Sequence, residues 1–236
     1  MNQADDTLFK PGPRILNPHF VIDPAEFPLW NLSYSMFGED LILRVLLKGK
    51  LKSGVPGFYA DFGSYDARYG NNSYLFYRYG WRGVCVEANP DPLFKSQYAT
   101  YRPRDVFINA AVGEAGSGFW SKAPNAPGSR IAMSRDAFGP EDGEPIPLKF
   151  LPLSRIFERC LPPGMEIEFM SMDVEGGEMS ALRSNDWRRY RPKIILIEVN
   201  NLDVMNINKS EVMTYLQGQG YKVEGVMFPN ALLTLA

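Results

Sequence analysis

GFYADFGSYDARYGNNSYLFYRYGWRGVCVEANP, residues 57–90, decides the fold. Gly57 to Phe62 is a short apolar run closing on Asp61 and Gly63, Asn72 to Tyr79 is aromatic-rich and helical in character, and Gly83 to Glu87 is a second buried-strand run. Strand, helix and strand at this spacing predict parallel pairing, because the helix must carry the chain back across one face of the sheet. The alternation continues downstream, with a helix over Pro92 to Thr100 and a third strand over Val106 to Val112. After a break it resumes with Leu153 to Cys160 helical, Ile167 to Met172 a strand, Gly177 to Ser184 helical and Lys193 to Val199 a strongly apolar strand. Lys209 to Gly218 reads as a helix, and Tyr221 to Met227 and Ala231 to Leu235 as two last strands. Gly225, Pro229 and Asn230 stand where a tight antiparallel return would be made. The expected architecture is α/β: a doubly wound, mostly parallel sheet with an antiparallel last strand.

Two stretches fall outside this pattern. Gly113 to Pro152 is crowded with Gly and Pro and reads as an insertion or lid holding short strands such as Ile146 to Phe150. The first forty residues are a Pro- and aromatic-rich arm, followed by a helix over Gly38 to Leu47 with Glu39 and Asp40 in its first turn, then a linker over Lys48 to Pro56. The division expected is an arm with a lid helix over 1–50 and a ligand-binding domain over 51–236.

Composition narrows the function. With 45% hydrophobic and 22% charged residues in a chain of 236, disorder and coiled coil are poor fits. A net charge of −2 argues against a general nucleic-acid binder. Two cysteines, Cys85 and Cys160, make no disulfide framework, and no run is long and apolar enough to span a membrane. A cytoplasmic location is the expectation.

In open parallel sheets ligands bind at the carboxyl ends of the strands, near the point where strand order reverses. The first exit lacks the G-x-G-x-x-G spacing that seats a pyrophosphate, so a dinucleotide is disfavoured. An acid, Asp61, a glycine for close backbone approach, Gly63, and Glu87 at the next strand end suit an adenosine-containing cofactor without a diphosphate. S-adenosylmethionine is the candidate. The fourth exit, SMDVEGGE over 171–178, places Asp173, Glu175 and Glu178 directly after a buried strand. The bland account is that these acids favour the positive end of a helix, but Asp173 is better placed for a ligand. Glu198, Asn200 and Asn201 offer further oxygen ligands at the fifth exit. The basic stretch from Arg183 to Lys193 reads as a solvated helix end, with a docking patch for a phosphorylated substrate as its alternative.

SYSMFGEDLIL (33–43), GFYADFGSYD (57–66), GWRGVCVEANP (80–90), INAAVG (108–113), MDVEGGE (172–178) and RPKIILIEV (191–199) together resemble the FkbM-type S-adenosylmethionine-dependent methyltransferases. That family has the class I, Rossmann-like fold and acts as O-methyltransferases on glycans and natural products. The resemblance covers about residues 33 to 200. It implies that Asp61, Gly63 and Ser64 line the methionine end of the cofactor, with Tyr65 and Asn72 in the same loop, that Glu87 and Ala88 hold the ribose and the adenine edge, and that Asn109 and Ala110 border the adenine. It further implies that Asp173 lies near the sulfonium and that Glu39 and Asp40 close over the site. Met36 stands where the family commonly has Gln.

Methyl transfer to a hydroxyl needs alignment and a base. The single histidine, His19, lies in the arm and reads as a packing residue. Asp173 is the preferred base, with Glu175 and Glu198 behind it. A Mg²⁺ ion held by Asp173, Glu198 and Asn200 is chemically reasonable for hard oxygen ligands. The acceptor expected is a sugar, glycan or other small molecule, and an aromatic arm of this kind often packs on a second copy of the chain. The competing readings are a nicotinamide-dependent sugar dehydrogenase or epimerase, disfavoured by the missing glycine spacing, and a methyltransferase-fold subunit without catalysis.

Overall fold

A computed structural model describes residues 31–122, 130–140, 142–200 and 202–236. The Pro-rich arm up to Trp30, with His19, lies outside the described residues, as does Asn201.

The main sheet has seven strands: β1 (Phe58–Phe62), β2 (Arg82–Glu87), β3 (Val106–Asn109), β8 (Ile167–Met172), β9 (Ile194–Glu198), β10 (Tyr221–Met227) and β11 (Asn230–Leu235). Their order across the sheet is β10-β11-β9-β8-β1-β2-β3. All pairings are parallel except those of β11, which runs antiparallel to both β9 and β10. All five residues of β1 are buried. Because side chains alternate across a strand, Phe58, Ala60 and Phe62 feed one core cluster and Tyr59 the other.

Helices cover both faces. α3 (Tyr74–Arg78) and α4 (Pro92–Tyr101) pack on the Tyr59 face, joined by α1 (Glu39–Leu46) through Leu43. α5 (Leu153–Cys160), α6 (Glu178–Arg183) and α7 (Glu211–Gly218) pack on the other face through Phe157, Leu182 and Leu216. At roughly 1.5–3 kcal/mol for each fully buried large apolar side chain, this double burial drives the layering.

Three expectations are refined. The stretch from Lys48 to Pro56 holds a short helix, α2 (Lys48–Lys52), because Leu51 reaches the Tyr59-face core and Lys50 pairs with the buried Glu168 at 3.0 Å. Val106 to Val112 is two strands: the chain leaves the main sheet after Asn109, and β4 (Ala111–Val112) pairs with β7 (Ile146–Leu151). The Gly/Pro-rich insertion is a second sheet, ordered β4-β7-β5-β6, with β5 (Gly116–Ser121) and β6 (Arg130–Ala132). It abuts α6, where Glu114 N–H donates to Ser180 Oγ at 3.4 Å.

Candidate active site

Strand order reverses between β1 and β8, since the chain proceeds from β1 outward to β2 and β3 and returns on the other side at β8 and β9. The exit of β1 is drawn tightly to those of both neighbours, β8 and β2. Asp173 N–H donates to Phe62 O at 2.9 Å, and Gly63 N–H donates to Val86 O at 2.9 Å. Gly63 has φ +76°, and a Cβ there would lie 1.6 Å from Asp173 O, so neither the conformation nor the space admits a side chain. The glycine expected for close backbone approach thus makes that approach, to the opposite strand exit. Two non-glycine residues take left-handed backbone conformations here, Tyr65 (φ 45°) and Glu175 (φ 55°), one on each side of the reversal. Such strain is held only where surrounding contacts over-determine it.

On the β2 side, Glu87 is buried, and its two carboxylate oxygens accept from Tyr65 N–H at 2.8 Å and Asn89 N–H at 2.7 Å. Burial pushes its carboxyl up, opposed by these backbone donors. Each oxygen keeps an accepting lone pair. Asn109 clips the same exit by donating to Glu87 O (2.8 Å) and Asn89 O (2.7 Å), and Ala110 N–H donates to Glu87 O at 3.0 Å. Ala88, between these contacts, is half-buried. Tyr65 is half-exposed beside the Phe94 ring, 5.3 Å centroid to centroid.

Asp61 sits beneath this surface. It is buried, its carboxylate accepts from Ser73 Oγ at 2.5 Å, and burial pushes its carboxyl up. Asn72 Nδ2 donates to Ser171 Oγ at 3.0 Å, tying the loop after β1 to β8. Ser64 Oγ is buried without a hydrogen-bond partner among the described residues. A buried hydroxyl left so is a group a ligand could satisfy.

Beyond β8 the acids converge. Asp173 is open to solvent at the crevice mouth, yet its carboxyl is pushed up to about 8 by partial burial, by the carboxylates of Glu198 and Glu175, and by a hydrogen bond with Glu198. Burial also pushes Glu175 up, with the carboxylates of Glu198, Glu178 and Glu87 adding to it. Glu178 turns inward, accepting from Gly176 N–H at 3.1 Å and Val174 N–H at 3.3 Å, as a cap on its own loop. Asn200 Nδ2 donates to Glu198 Oε2 at 3.2 Å. Among the described residues no group of three or more His, Cys, Asp or Glu side chains is arranged to hold a metal ion. The carboxylates instead form a site of concentrated negative potential, suited to a cationic group.

The segment before α1 closes the far side. Asp40 accepts from Ser33 Oγ (2.6 Å), Tyr34 N–H (2.7 Å) and Ser35 Oγ (2.9 Å), folding that turn upon itself. Tyr34 O accepts from Asn71 N–H at 3.0 Å. Glu39, buried, accepts from Asn230 Nδ2 at 2.9 Å and Phe37 N–H at 2.9 Å. Asn230 pairs in register with Glu198, so this latch ends at the acid cluster.

The model of the methyltransferase FkbM domain matches residues 61–223, more than half of the chain, including the exits of β1, β2, β8 and β9. The chain belongs to the FkbM methyltransferase family. No curated protein sequence matches it. Among solved structures it is similar to precorrin-6y C5,15-methyltransferase from Geobacter metallireducens GS-15, with 14% identity over 82% of this chain and 86% of that one and a TM-score of 0.41. It is similar also to a protein of Pyrococcus horikoshii provisionally named an RNA methyltransferase, with 10% identity over 88% and 90% of the two chains and a TM-score of 0.41.

Within this FkbM domain the basic stretch is largely engaged in the fold. Arg183 pairs with Glu211, Arg191 donates to Gln219 O at 2.6 Å, and Lys193 pairs with Glu166 at 2.7 Å. Of the polar residues that shape the loop after β1, sequence reasoning singled out Asn72 but not Asn71, Ser73 or Arg102. Their signal is a buried hydrogen-bond web spanning some thirty residues of chain, which no local pattern carries. No helix among the described residues is long and apolar enough to cross a membrane.

Proposed function

We propose that this methyltransferase uses S-adenosylmethionine to methylate a hydroxyl of a sugar, glycan or comparable small molecule. The observation that carries the reading is the pairing of Asp173 with Glu198 directly opposite the Gly63 turn. When bound, the cofactor supplies an electrophilic methyl group on a cationic sulfonium. Its fit is supported by the unpaired Ser64 Oγ, by the crowded Gly63 turn, and by the two lone pairs left on Glu87, which suit ribose hydroxyls. Asp61, bonded to Ser73, serves this loop from below.

Asp173 is the base. With its carboxyl pushed up to about 8, it holds a proton near neutral pH until a positive charge arrives beside it. An opposite charge within a few ångströms favours the ionised form, so beside a bound sulfonium Asp173 would release its proton to solvent and, once ionised, would accept the proton of the acceptor hydroxyl. Glu198, hydrogen-bonded to Asp173, orients it, and Glu175 adds to the negative potential. A shallow cleft of about 400 Å³ between Ser33–Met36 and Asp66–Tyr69 supports a polyhydroxylated acceptor, with serine hydroxyls and tyrosine rings in its lining. A Mg²⁺ ion on Asp173, Glu198 and Asn200 is the metal-assisted form of the same reading. Chelation with EDTA leaving turnover unchanged would remove it.

Isothermal titration with S-adenosylhomocysteine, with NAD⁺ as control, tests the cofactor class. Saturable one-site binding of the homocysteine compound alone is expected. Heat with NAD⁺ and none with S-adenosylhomocysteine would favour a dehydrogenase and overturn the reading.

A further inference from the structure

Arg102, at the C-terminal end of α4, is buried to 1% exposure. All five guanidinium N–H groups are used. Nε donates to Asp105 Oδ2 at 2.7 Å; Nη1 donates to Asn71 Oδ1 at 2.9 Å and Ala67 O at 3.3 Å; Nη2 donates to Ser73 Oγ at 2.8 Å and Tyr59 Oη at 3.0 Å. Four tyrosine rings surround it, those of Tyr59, Tyr74, Tyr77 and Tyr98, with centroids 5.1–5.9 Å from its Cζ. Burying an ion pair costs desolvation that an apolar cluster of equal volume would avoid. What the guanidinium adds over such a cluster is a fixed fork of donors.

That fork points at the cofactor loop. Ala67 and Asn71 belong to the loop that follows Gly63. Asn71 carries the hold onward, its Nδ2 donating to Ser64 O at 2.9 Å and Asp66 O at 3.2 Å, while Tyr98 Oη donates to Ser64 O at 3.1 Å. Ser73, the hydroxyl bonded to Arg102, is also the partner of Asp61. The strained Tyr65, whose N–H meets Glu87, lies between two carbonyls clamped in this way.

We propose that Arg102 is a positioning residue for the methyl donor: acting through Asn71, it holds Ser64 to Ala67 in the shape that receives the cofactor. This rests on the S-adenosylmethionine reading above. The clamp spares the loop an ordering step on binding, so its loss should appear in affinity as well as in stability.

The test is the affinity of S-adenosylhomocysteine, by isothermal titration, for the full chain and three variants, each also melted thermally. Arg102→Lys keeps the charge but has three donors on one point, too few to span these partners. Asn71→Ala removes the hold on Ser64 O and Asp66 O while leaving the Arg102–Asp105 pair in place. Both should raise Kd about tenfold. Leu216→Ala, in α7 on the opposite face, should lower the melting temperature comparably with Kd unchanged. Wild-type affinity in a folded Arg102→Lys or Asn71→Ala protein, or a matching loss of affinity in Leu216→Ala, would overturn the clamp. A wild-type protein that fails to bind at all would instead refute the cofactor reading on which it stands.

Discussion

Replacing Asp173 by Asn should make this protein more stable, and increasingly so as pH rises. The folded carboxyl is pushed up to about 8 from an ordinary 3.8 by burial and by Glu198 and Glu175. Between those values the folded chain holds a proton that the unfolded chain releases. The stability associated with this group is therefore fully present below the unfolded value and is lost as pH climbs through about 8. Asn is neutral throughout and escapes the loss. At about 1.36 kcal/mol per unit, an upward shift of about four units would be worth roughly 5–6 kcal/mol. Asp173 is open to water at the crevice mouth, and screening there leaves on the order of 1–2 kcal/mol. For a chain of this size that is a few degrees of melting temperature. Thermal melts of wild type and Asp173→Asn at pH 5 and pH 8.5 give the difference directly, since groups common to both cancel. The variant's advantage should widen by several degrees at the higher pH while methyl transfer is lost. An advantage that is constant, or that shrinks with rising pH, would refute the argument that Asp173 is held against like charge.

Gly63→Ala should cost on the order of 3 kcal/mol or more in chemical denaturation, because its Cβ would meet backbone at Asp173. Gly80→Ala, at a similar positive φ but with nothing within 4 Å, should cost only about 1–2 kcal/mol. Glu87→Gln should weaken S-adenosylhomocysteine binding about tenfold in isothermal titration, through loss of a charge-assisted acceptor. An unchanged Kd would remove Glu87 from the ribose site. Asn230→Ala should lower stability by about 1–3 kcal/mol in urea, since it strands the buried Glu39 oxygen; in Glu39→Gln the same change should cost less.

Much of this was legible in the residues, for reasons that differ along the chain. FYADF, IEFMSM and IILIE are buried along their whole length save Glu198, so continuous apolar runs marked them as central parallel strands. The insertion escaped that logic. β5 has two exposed positions and β7 three, and strands with neither a continuous apolar run nor a clean alternation, interrupted by Gly and Pro, offer little contrast to read. The break after Asn109 was hidden because β3 and β4 share one apolar stretch, and only the pairing of Ala111 with Phe150 separates them. At the site, acids placed just past buried strands were visible by position alone. The Arg102 web and the Glu39–Asn230 latch were not, because a hydrogen bond between residues 191 apart in sequence leaves no periodic trace.

The last strand, β11, has a consequence for how the molecule comes into being. It lies between β9 and β10, so β10 touches the main sheet only through it. Until Asn230 to Leu235 have left the ribosome, the Ile194–Glu198 edge is a row of unpaired backbone N–H and C=O groups and Tyr221–Met227 has nothing to join. A chain without Asn230–Leu235 would be an adhesive half-built sheet rather than a slightly weakened protein.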